Sequence, residues 1–126
     1  MKALIKGAIE NFVPSFNGYV NEKGILVIQE TGSLSFTVDT GFSGAIALPE
    51  RILKKMKAEL IAYGIFRLAA GDEVELPVFW GQVAIKNSQI ETWFIPGNSL
   101  LGMEFLSLVG SYLIFDFQGQ EVKLAK

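Results

Sequence analysis

The sequence contains no cysteine and no histidine. Without a thiol there is no thiolate nucleophile and no Cys-based zinc site, and without imidazole there is no Ser/His/Asp triad and no His metal ligand. Catalysis by this chain therefore has to run on carboxylates, lysines or hydroxyls. An excess of one charge is lacking as well, since 11 basic and 13 acidic residues leave a net charge of −2. The basic residues gather only at Lys54, Lys55 and Lys57, which reads as the solvated face of a short helix. Nucleic acid is not an expected partner. No apolar run approaches the roughly 18 to 20 residues that cross a bilayer. The opening Met1-Lys2-Ala3-Leu4-Ile5-Lys6-Gly7 is interrupted by Lys6, Gly7 and Glu10 before a signal-peptide core can form. These absences predict a cytoplasmic protein with no membrane partner, no cofactor and no metal.

What is present is apolar. Half of the 126 residues are hydrophobic and ten are Phe, enough to build one core over residues 1–126 as a single domain. So many aromatics in so small a globule also predict an apolar surface covered by a partner subunit. Short runs separated by glycine-containing turns suggest successive hairpins. Asn17-Gly18 and Lys23-Gly24 read as turns before the run Ile25-Leu26-Val27-Ile28. Pro49-Glu50 opens the clearest helical pattern, with apolar residues at Ile52, Leu53, Met56 and Leu60. Ile65 to Leu68 and Val74 to Phe79 flank a small-residue tip at Ala69-Ala70-Gly71-Asp72-Glu73. Val83 to Ile85 pairs with Ile90 to Ile95, and Tyr112 to Phe117 pairs with Glu121 to Leu124 through Gly119. The fold class expected is all-β, a small and mostly antiparallel closed β-barrel with one or two short helices.

One position stands out chemically. Leu34, Phe36 and Val38 alternate with Ser35 and Thr37, and this strand runs directly into Asp39-Thr40-Gly41. The tripeptide alone is an ordinary turn sequence, because Asp, Thr and Gly all favour turns. Its surroundings say more: an apolar strand precedes it, Phe42-Ser43-Gly44 and the apolar Ala45-Ile46-Ala47-Leu48 follow, and Pro49 then starts the helix.

The block Phe36-Thr37-Val38-Asp39-Thr40-Gly41-Phe42-Ser43-Gly44, with Leu48-Pro49 after it, resembles the retroviral-like aspartic proteases, in particular the small single-lobe group of cellular and prokaryotic members of the retropepsin-like clan. A second block, Leu100-Leu101-Gly102-Met103-Glu104-Phe105-Leu106, is similar to that family's two apolar residues, Gly and short helix. Leu113 to Phe117 looks like its closing strand. The resemblance extends from about Gly24 to the end of the chain. It implies a barrel of the retropepsin-like type and a peptide bond cleaved by water held between two carboxylates. Since the chain carries Asp-Thr-Gly once, it also implies a homodimer in which each copy supplies one Asp39. Under this resemblance Asp39, Thr40 and Gly41 form the catalytic loop, Ser43, Leu101 and Gly102 support it, and Ala69, Ala70, Gly71 and Asp72 form a flap over a peptide or protein substrate. Phe42 departs from the small residue common in relatives and reads as barrel packing, as do Trp80, Trp93, Phe105 and Leu106.

Two other readings remain open at this level. The same barrel could serve as a non-catalytic peptide-binding or assembly dimer, because a fold does not guarantee turnover. A glycosidase needs two acids about 5 to 9.5 Å apart, and no spacing among the Asp and Glu residues singles out such a pair.

Overall fold

The computed structural model describes residues 1–68 and 70–126. Its elements in chain order are β1 (Ala3–Glu10), β2 (Val13–Val20), β3 (Leu26–Gln29), β4 (Leu34–Val38), β5 (Ile46–Leu48), α1 (Glu50–Leu53), β6 (Glu59–Arg67), β7 (Glu73–Ile85), β8 (Ser88–Pro96), β9 (Leu100–Leu101), α2 (Met103–Val109), β10 (Tyr112–Asp116) and β11 (Glu121–Ala125). Seven strands close on themselves in the order β2-β3-β7-β8-β5-β9-β4 and back to β2, which makes the expected mostly-β closed barrel. Closure leaves these strands without a free edge, apart from two extensions. One is the sheet β1-β11-β10 continuing from β2, and the other is β6, which pairs only with β7.

The barrel is filled by alternating strand positions. Phe16 from β2, Phe36 from β4 and Phe94 from β8 point inward and are buried, and Phe105 from α2 closes one end of the core with Leu106 and Val109. Burying such side chains is worth about 1.5 to 3 kcal/mol each, and these four Phe are the largest fully buried side chains among the described residues. On β4 the predicted alternation holds, with Phe36 and Val38 buried while Ser35 is exposed. No helix among the described residues is long and apolar enough to cross a membrane.

Three local expectations change. Asn17-Gly18 is no turn but lies inside β2, paired with Gln29 and Ile28. The glycine is needed there because a Cβ would sit 2.5 Å from the Val27 carbonyl oxygen and 3.1 Å from the Phe36 ring, where β2 is flanked by β3 and β4 together. The helix after Pro49 stops at Leu53, and Leu60 belongs to β6 with its side chain half exposed. Apolar spacing at 52, 53, 56 and 60 imitates a helix across what is a helix end and a new strand. Val74 to Phe79 and Val83 to Ile85 are not separate strands but parts of the single 13-residue β7, which bends from the β6 hairpin into the barrel. Three of the pairings, β3 with β7, β4 with β9 and β5 with β8, are parallel and join segments far apart in sequence.

Candidate active site

Asp39 stands where β4 leaves the barrel wall. Its backbone N–H donates to the Leu101 carbonyl at 3.0 Å, the last rung of the parallel β4–β9 pairing in which Val38 faces Leu101. β9 in turn lies between β4 and β5, with Ile46 opposite Leu101. The two-residue strand Leu100–Leu101 is thus wedged between the strands that enter and leave the Asp39 loop, and the loop has little freedom at its base. Its side chain is held locally, because one carboxylate oxygen accepts the Gly41 N–H at 3.0 Å. The loop closes further through the Phe42 N–H to the Asp39 carbonyl at 3.1 Å. Asp39 is half-buried, while Thr40 and Gly41 are exposed. The carboxylate accordingly sits at the barrel rim, oriented by the Gly41 N–H and open in part to solvent.

The segment after β9 is laced to the same loop. The Gly102 N–H donates to the Ala45 carbonyl at 2.7 Å, that of Met103 to Phe42 at 2.8 Å and that of Glu104 to Gly44 at 3.1 Å. A side chain at Gly102 has no room, since its Cβ would fall onto the Gly44 carbonyl oxygen and within 2.8 Å of the Phe42 ring. The two sequence blocks, 36–49 and 100–106, are therefore brought together in space. Of the residues expected to support the loop, Leu101 and Gly102 are buried against it. Ser43 is exposed, and the loop's carbonyl contacts at this point come from Phe42 and Gly44 instead.

Around this seat lies an aromatic cluster of which the sequence pattern marks only Phe42 and Trp93, and those as barrel packing. The Trp93 ring meets Phe42 edge-on at 6.5 Å and lies 5.9 Å from Phe66 of β6, and its indole N–H donates to the Glu104 carboxylate. Phe42, Trp93 and Glu104 tie the Asp39 loop, β8 and α2 together, while Phe66 links them to the β6–β7 hairpin. Nothing in the linear spacing of these four residues points to a common site, because each comes from a different element.

The hairpin β6–β7 forms the expected arm. Phe66 pairs with Val74 and Arg67 with Glu73, and the turn is closed by the Leu68 N–H to the Asp72 carbonyl at 2.7 Å. Ala70, Gly71 and Asp72 are exposed at its tip, and Ala69 lies outside the described residues. Asp72 is thus carried on the arm and Asp116 is engaged elsewhere, its carboxylate accepting the Gly119 N–H at 2.9 Å. Among the described residues no second acid shares the Asp39 hydrogen bond, and no group of three or more acidic residues is placed to hold a metal ion. Two clefts, of about 260 and 230 Å³, lie away from Asp39: one beside Trp80, Lys57 and Glu91, the other between Phe12 and Phe117.

A single outward-facing carboxylate can accept a proton or orient a water, but alone it offers no acid to protonate a leaving group or polarise a carbonyl. No family model, curated protein or solved structure matches this chain.

Proposed function

We propose that the chain is one half of a homodimeric aspartic endopeptidase, built on a barrel of the retropepsin-like type. The observation that carries this reading is the seat of Asp39: a carboxylate fixed by the Gly41 N–H, at the end of β4, on a loop braced by Leu101-Gly102. That is where the resemblance of the two sequence blocks to retropepsin-like proteases requires a catalytic acid. The outward aspect of Asp39, Thr40 and Gly41 supports a site completed by a second copy rather than one enclosed within a single barrel.

In the dimer the two Asp39 side chains face each other. Like charges about 3 Å apart cannot both form, so the pair holds one proton between them. The ionised member takes a proton from the bound water as its oxygen attacks the peptide carbonyl carbon, and the protonated member donates to the carbonyl oxygen. Proton transfer to the amide nitrogen then lets the C–N bond break. The Gly41 N–H holds the carboxylate in line for this exchange. The substrate lies extended across the twofold axis, and the β6–β7 arm, with Ala70, Gly71 and Asp72 at its tip, covers it and excludes water.

Asp39→Asn tests the reading. Inhibitor-sensitive cleavage of a peptide library between about pH 4 and 7 should fall by about 10³-fold or more. Thermal unfolding and dimerisation should stay close to wild type. Residual cleavage comparable to wild type contradicts the proposal.

A further inference from the structure

The turn between β1 and β2 presents an aromatic ring to solvent from an unfavourable backbone. Glu10 pairs with Val13, so Asn11 and Phe12 alone make the turn, at φ 50° and 66°. A two-residue hairpin loop with both residues in the left-handed region favours Asn-Gly, because Gly takes the second position without steric conflict. Here that position is Phe, and its side chain is 91% exposed. Its own chain covers very little of it. Beside it, the β10–β11 turn presents Phe117, 68% exposed and stacked at 6.1 Å on Phe115. Gln120 in that turn also has a left-handed φ of 52°. Ile9, Asn11, Phe12, Phe117 and Gln120 line the cleft of about 230 Å³ between the two turns.

Strand register fixes where this patch lies. Ser15 pairs with Thr37, and the Ile9 N–H donates to the Gln120 carbonyl at 2.9 Å. Both turns are therefore at the end of the sheet toward which β4 runs into Asp39. We infer that the patch is a seat for a second copy of this chain, with Phe12 of each copy packed into the cleft beside Phe117 of the other. This rests on the reading that the catalytic centre needs two copies. A twofold contact requires a self-complementary surface, and here a protruding ring and a cleft of about its size are neighbours. Two such exposed rings supply roughly 300 Å², a large share of the roughly 800 Å² that each partner buries in a standard interface. The rim is acidic. Glu10, Asp116 and Glu121 are at this end, with Glu121 paired to Lys123 at 3.2 Å. Copy-to-copy contact brings like charges together across the axis, so salt should tighten it, whereas a basic partner would be released by salt.

Sedimentation equilibrium of the full chain decides the matter, with Phe12→Gly and Phe117→Gln as variants. Phe12→Gly restores the preferred turn residue and should raise the thermal stability of the dilute monomer while raising the dimer Kd about 10- to 100-fold. Phe117→Gln should weaken the dimer in the same direction. Raising salt to about 0.5 M should strengthen wild-type association. A Phe12→Gly dimer as tight as wild type overturns the patch and leaves the protease reading standing, as does a dimer that salt dissociates. A wild-type chain that is monomeric at about 100 μM overturns both.

Discussion

The Asp39 loop and the tip of the β6–β7 arm are both turns between strands with glycine among their residues, yet their surroundings are opposite. The first is braced at its base although Thr40, Gly41 and Ser43 are exposed: β9 is wedged under it, the backbone N–H groups of 102, 103 and 104 are spent on its carbonyls, and Gly102 has a carbonyl where a Cβ would be. The second projects from the barrel on a hairpin whose outer strand has exposed side chains at Leu60, Ile61, Tyr63 and Ile65. A side chain at Gly71 would meet nothing within 4 Å. A catalytic acid must be held to a fraction of an ångström, and a cover must open to admit a chain. Under the proposed function, the contrast teaches that one small barrel can meet both demands by seating the acid on a loop braced by backbone hydrogen bonds and the cover on a hairpin whose outer strand, β6, pairs only with β7.

The sharpest way to break this comparison is to add the same methyl group to the segment that braces the Asp39 loop and to the tip of the arm. Gly102→Ala should destabilise the fold by about 3 kcal/mol or more, because a backbone carbonyl has to move. That corresponds to a fall in Tm of roughly 10 °C. Gly71→Ala should cost only about 1 kcal/mol, from its φ of 91° alone. Equal losses in a urea titration would mean that the two regions are equally constrained.

The comparison is sharpened by asking how the regions communicate. Phe66 is the arm's ring against Trp93, and Trp93 in turn meets Phe42 and Glu104. Phe66→Ala should cost about 1 to 2 kcal/mol, and a double-mutant cycle with Trp93→Ala should return a coupling of about 0.5 to 1.5 kcal/mol. A coupling near zero would show that the arm folds independently of the seat.

Legibility in the sequence divides along similar lines. The Asp39 strand was readable because its alternation is strict, and the hairpins at 83–95 and 112–125 because their partners are close in sequence. β9 was visible only as the motif Leu100-Leu101-Gly102, since two residues carry no periodicity. β1 and β2 are hard to read because Gly7, Asn17 and Gly18 interrupt their pattern, although the two glycines permit close strand approach and Asn17 pairs with Gln29 inside the sheet. The turn between them was hidden by Phe12 in a place where Gly is the usual signal. The parallel pairings and the Phe42–Trp93–Phe66 cluster join distant segments, and only chain closure decides which residues meet.

The central claim is that each active centre takes one Asp39 from each of two identical chains. Subunit mixing measures this directly: wild type and Asp39→Asn are combined at fixed total concentration, allowed to exchange, and assayed for peptide cleavage. Centres with one carboxylate replaced are inactive, so activity should fall as the square of the wild-type fraction. A linear fall would show that a single chain carries a complete centre and would contradict the account.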